Sequence, residues 1–126
     1  MYQINNQVNG QSPNLIIYQK YLEFIYYTTY LVMKYPKSER FTLAQETKQT
    51  LYEGLRYILF AQKEFSKTIR LKQLSDLDVS LNLLKVHIRI AYRYKYINSS
   101  NYSTWSLKVT DICNILGSWI NSCLKR

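Results

Sequence analysis

The sequence is short of chain breakers and of acid. Three glycines and two prolines in 126 residues leave little punctuation, and no segment alternates apolar and polar residues strictly enough to read as a strand. The one histidine, His87, and two cysteines make no zinc set. Cys113 and Cys123 sit ten positions apart on what reads as one helix. At a rise of about 1.5 Å per residue that is about 15 Å, beyond disulfide reach, so buried reduced thiols are expected. The longest strongly apolar piece, 24–33, is about half a membrane span. The opening MYQINNQVNGQS has no basic flank leading into an apolar run, so no signal peptide is read and a soluble cytoplasmic protein is expected. HExxH, a Gly-rich phosphate loop, G-x-S-x-G and clustered carboxylates are all missing. The expectation is therefore no enzyme, no cofactor, no metal and no small-molecule substrate.

What is present is apolar surface and positive charge. Apolar residues make up 47% of the chain, enough for one globular domain at this length. Seventeen Lys and Arg face eight Asp and Glu, for a net charge of +9 and an isoelectric point near 9.6. Residues 1–65 hold seven bases and five acids, whereas 66–126 hold ten bases and three acids. A localised excess of this kind points to a polyanionic or acidic partner. Basic charge that serves only solubility is the competing reading.

Four helical segments follow from the periodicity. Ser12-Pro13 reads as an N-cap with proline at the first helical position. Ile17, Tyr21, Phe24, Thr28, Leu31 and Tyr35 then mark one helix face up to Pro36. Residues 1–12, rich in Asn and Gln, read as a loose tail before a domain spanning 13–126. A second helix opens within SERFT, with Ala44, Thr47, Leu51, Leu55, Ile58 and Phe65 on one face. Gly54 inside it implies a close helix contact. SKTIRLK reads as a basic link, and a third helix runs from about Ser75, capped by the Ser75/Asp78 pair, to Tyr96. Asn98-Ser99-Ser100-Asn101 breaks it and caps a fourth, in which Tyr102, Trp105, Val109, Ile112, Leu116, Trp119 and Cys123 form a heptad-like seam. Four such helices with short links predict an all-α, antiparallel up-down-up-down bundle.

The third helix carries three stripes. Leu74, Leu77, Leu81, Leu84, Ile88, Ala91 and Tyr92 share a core face. Lys85, Arg89 and Arg93, with Lys95 and Tyr96, make a basic ridge without neighbouring acids. Its like charges, four residues apart, each cost about a few tenths of a kcal/mol in an isolated helix. Val79, Leu83, Val86 and Ile90 form a second apolar stripe that one bundle core does not account for. One reading is a solvated face whose long side chains lie over apolar neighbours. The other is that the stripe is a subunit interface and the ridge is repeated around an assembly, where it binds nucleic acid. A purely structural bundle that binds an acidic protein surface also fits. A membrane-surface role is disfavoured, because a bundle would already bury those apolar faces. The 13 tyrosines read mainly as core or interface filler, with Tyr94 and Tyr96 as candidates for base stacking. His87 has no Cys, Asp or Glu at ligand or dyad spacing and reads as a packed or interface residue.

Three motifs resemble a known family. YPKSERFTLAQ (35–45), LNLLKVHIRIA (81–91) and ILGSWI (115–120) are similar to those of the accessory variability proteins (Avd) of diversity-generating retroelements, and the resemblance spans Leu15 to Ile120. A related group, encoded in intervening sequences of bacterial large-subunit ribosomal RNA genes, shares the PKxERF turn but follows it with a stretch of the type NIAEG. This chain has QTLYEGLRYILFAQ there, so the retroelement branch is the nearer match. That branch implies a basic, non-catalytic homopentameric ring that partners a reverse transcriptase and its template RNA in cDNA synthesis for mutagenic retrohoming. It also implies that Lys85 and Arg89, in the family's L-basic-x-x-L-Arg pattern, contact nucleic acid or polymerase. Asn114 stands where many relatives have a base, which leaves Lys108, Lys125 or Arg126 to supply that contact. The ribosomal branch implies instead a structural bundle that binds an acidic protein or ribosomal RNA.

Overall fold

A computed structural model describes residues 12–125. Four helices account for most of them: α1 (Pro13–Val32), α2 (Leu43–Lys63), α3 (Lys67–Arg93) and α4 (Ser99–Leu124), with a 3-10 turn at Lys37–Glu39 between the first two. No strand occurs among the described residues, and no helix there is long and apolar enough to cross a membrane. The expected tail falls, apart from Ser12, outside the described residues, as does Arg126.

The helices pack in sequence around one core. α2 lies on α3, α3 on α4 and α4 on α1, while the α1–α2 contact is thinner and the diagonal pairs do not approach. Neighbours run antiparallel. Gln62, at the end of α2, donates to the carbonyl of Asn14 at the start of α1 (2.8 Å), and the Trp105 indole N–H in the first turns of α4 donates to Thr28 Oγ1 near the end of α1 (2.9 Å). Trp105 is fully buried, so that bond satisfies a donor that would otherwise cost about 1–3 kcal/mol.

The boundaries differ from the sequence expectation around α3. SKTIRLK is its first turn and a half. Ser66 is the cap and accepts the Ile69 N–H (3.3 Å), whereas Ser75 lies exposed in mid-helix. The reason is Arg70, whose guanidinium donates to the carbonyl of Ala61 (3.2 Å) and to that of Glu64. Carbonyls at the end of α2 lack helical partners, and a cation from the next helix satisfies them and favours the negative end of the dipole. The chain therefore turns over only 64–66, and Phe65, expected on the core face, is left 99% exposed. Tyr92, also expected in the core, is exposed and stacks on Tyr102 of α4, with ring centroids 4.2 Å apart.

At two other places the expectation holds. Asn98 caps α4 by accepting the Asn101 N–H at 2.7 Å. Gly54 marks a close contact: the buried Tyr21 hydroxyl lies against it and donates to the Leu51 carbonyl (2.6 Å), and a Cβ at position 54 would overlap that hydroxyl. Gly54→Ala should lower unfolding free energy by about 1–3 kcal/mol from overpacking, more than the gain of about 1 kcal/mol in helix propensity. Denaturant titration should show Tyr21→Phe restoring most of that loss when the two changes are combined.

Candidate functional site

Burial of the α3 seam turns the basic ridge outward, and the local chain path brings its end to a groove. After Arg93 the helix closes with a left-handed residue: Tyr94 N–H bonds Ile90 O (3.0 Å), Lys95 N–H bonds Tyr92 O (3.0 Å) and Tyr96 N–H bonds Ala91 O (2.9 Å), with Lys95 at φ 64°. Glycine or asparagine usually fills such a position, and a lysine there costs about 1–2 kcal/mol. What holds the turn is Tyr96. Its hydroxyl donates to Glu39 (2.6 Å) and its ring packs on Tyr35 at 5.4 Å between centroids. Glu39 also accepts from the Thr42 hydroxyl and the Leu43 N–H. These bonds, Thr42 first, hold its carboxyl below the ordinary range, while the bond to Glu39 raises the Tyr96 phenol. Tyr96 thus borders the groove as a strut that positions the turn, and its hydroxyl is already engaged.

The groove has a volume of about 1070 Å³ and is lined by Arg89, Arg93 and Lys95 from α3 and its turn, together with Lys34 from the end of α1. Tyr92 and Tyr94 add ring surface, Asn98 and Asn101 bring in the N-terminus of α4, and no carboxylate lines it. Four cations around one concave surface focus a positive potential at which an anionic chain would gather. Lys34 was not read from the sequence as part of this site. It lies in the turn just past the end of α1, and a wheel drawn for α3 cannot show what that turn adds.

The remaining ridge residue lies apart. Lys85 is half-buried against α4 beside Cys113. Burial raises the Cys113 thiol, and Lys85 opposes that only in part. Both cysteines are free; Cys123 is buried and Cys113 half-buried. The second apolar stripe is on the surface of the single chain: Val79 is 64% exposed, Val86 50% and Leu83 41%, with Ile90 half-buried. No other helix covers it.

His87 lies under this surface, buried, with no hydrogen-bond partner on Nδ1. It borders a hollow whose rim includes Glu39, Phe41, Glu46 and Tyr94. Burial pushes its imidazole below the ordinary 6.5, with Glu46 opposing. No group of three or more His, Cys, Asp or Glu among the described residues is placed to hold a metal ion.

Comparison with known proteins gives one family and one fold. A family model described as bAvd-like matches residues 15–123. No curated protein matches the chain. Among solved structures, a protein of unknown function from the S23 ribosomal protein family of Bacteroides thetaiotaomicron superposes with a TM-score of 0.79 at 18% identity, covering 86% of this chain and 98% of that one. At that identity the likeness concerns the fold.

The imidazole gives the site a pH signature. Because the folded protein holds His87 below its ordinary value, the unfolded chain takes up a proton first as pH falls. Stability from this group is full above about pH 6.5 and declines below it. Melting temperature should fall between about pH 7 and pH 5, and His87→Phe should flatten that decline. The contribution of Glu39, whose value is lowered, is lost only below the ordinary carboxylate range.

Proposed function

Since the chain belongs to the bAvd-like family, whose model matches residues 15–123, we propose that it is a non-catalytic accessory protein of a diversity-generating retroelement. In this reading it binds template RNA or cDNA and the reverse transcriptase, and several copies close into a ring, a pentamer by resemblance to the family. The observation that supports it most is the carboxylate-free groove of Lys34, Arg89, Arg93 and Lys95. Arg93 and Lys95 ease the negative end of α3 and Lys34 rests on Tyr30, but like charges gathered with no carboxylate lining the groove still repel one another. Phosphates or other anions would offset that repulsion. The stripe of exposed Val79, Leu83 and Val86 with half-buried Ile90 supports the ring, since it is an apolar seam on α3 that another copy would cover.

Two measurements test the two parts. Mobility shifts on structured RNA at graded salt should give a log–log slope of about −3 if each of four groove cations meets a phosphate. Arg89→Glu, Arg93→Glu and Lys95→Glu together should weaken binding by roughly 100-fold or more without loss of helicity, and Lys85→Glu alone should do less. Affinity indifferent to salt would count against the reading. Sedimentation of a Val86→Glu, Ile90→Glu variant should give monomers from an assembled wild type, and an unchanged mass would take the stripe out of the interface.

A further inference from the structure

The groove does not end at α3. Tyr92 of its lining lies flat on Tyr102 of α4, with centroids 4.2 Å apart and planes 12° apart. One residue before Tyr102, Asn101 donates through its side-chain amide to the Tyr27 hydroxyl on α1 (3.3 Å). Tyr27 in turn faces Tyr30, at 6.3 Å between centroids. A lysine lies over each of these last two rings: Lys34 Nζ is 4.0 Å from the Tyr30 centroid and 2.7 Å from its hydroxyl, and Lys108 Nζ is 5.4 Å from the Tyr27 centroid. Exposed ring surface thus stands at Tyr94, 62% exposed in the groove lining, and at Tyr30, 52% exposed under Lys34, which lines the same groove. An exposed cation over a ring is worth about 0.5–1 kcal/mol, small enough for a phosphate to replace it.

Resting on the nucleic-acid reading above, we propose that this track holds an unpaired stretch of polynucleotide, its bases stacked on Tyr94 and Tyr30 and its phosphates on Arg89, Arg93, Lys95, Lys34 and Lys108. A duplex would use only the cations, because its base faces are already stacked and exposed tyrosine rings offer it nothing. A single strand uses both. Its phosphates draw Lys34 and Lys108 off the rings, which leaves ring faces open to bases. Base–aromatic stacking tolerates any sequence, so the track carries strand type rather than sequence preference.

Fluorescence anisotropy on the full chain tests this with labelled chains of about twelve nucleotides, within the range of site sizes for such surfaces. The probes are an oligouridylate, its oligodeoxyuridylate counterpart, an abasic chain of equal length and charge, and a blunt duplex. The oligouridylate should bind about tenfold more tightly than the abasic chain or the duplex. Tyr30→Ala with Tyr94→Ala should remove that advantage and leave duplex affinity and the salt slope unchanged, while the corresponding Phe changes should keep it. The two sugars, compared directly, say whether the strand is RNA or DNA. If the abasic chain binds as tightly as the oligouridylate, or if the Ala changes weaken the duplex equally, the stacking track is wrong while the cationic groove stands. If none of the probes binds, the nucleic-acid reading fails and the track with it.

Discussion

Leu74, Leu77, Leu81, Leu84, Ile88 and Ala91 are each 2% exposed or less, and this one seam sets the rotation of α3. A buried Leu or Ile adds about 1.5–3 kcal/mol relative to exposure, so turning the helix to hide another stripe would forfeit on the order of 10 kcal/mol. Everything outside the seam then has its direction fixed. Arg89 and Arg93 turn to one flank, and Val79, Leu83 and Val86 to the other. The surface that could meet a partner follows from how the interior packs.

The end of α3 shows how that rotation becomes a shaped surface. A helix C-terminus carries partial negative charge, which would repel a phosphate chain, yet the groove sits there. Arg93 and Lys95 offset the dipole, and the left-handed turn at Lys95 swings the chain toward α4, whose N-terminus carries the opposite partial charge. The strain of that turn is held from a distance by Glu39, a residue of the α1–α2 connection, through the Tyr96 hydroxyl. The connection that leaves α1 at Lys34 thus also braces the turn opposite it.

The sequence was most legible where one helix decides its own fate. The seam of α1, that of α3 as far as Ala91, that of α4 from Trp105, the Asn98 cap and the tight spot at Gly54 all depend on spacing within one segment or on the absence of a side chain, and the structure keeps them. It was least legible where a second helix intervenes. SKTIRLK looks like a charged link until Arg70 is seen meeting the end of α2, and Tyr92 looks like core until Tyr102 meets it at the rim. Lys34 lies more than fifty positions from the other groove cations, so no local pattern could have joined them. Lys85 shows the converse: its ridge spacing is correct, but α4 lies over that part of the flank and half-buries it.

Apolar stripe and cationic groove share α3, and their proximity constrains what assembly can add. At physiological salt the field of a surface charge is largely screened beyond about 8 Å. Copies set side by side along the stripe would therefore not simply sum their potentials over the outer surface, except where grooves come within that distance. The larger gain from a ring is multivalency. A polynucleotide held in one groove is at high effective concentration for the next, so modest sites combine into firm binding without any new contact. That gain exists only if one strand can pass from groove to groove. The direction of the track, from the end of α3 across α4 to α1, is thus as consequential as its charge.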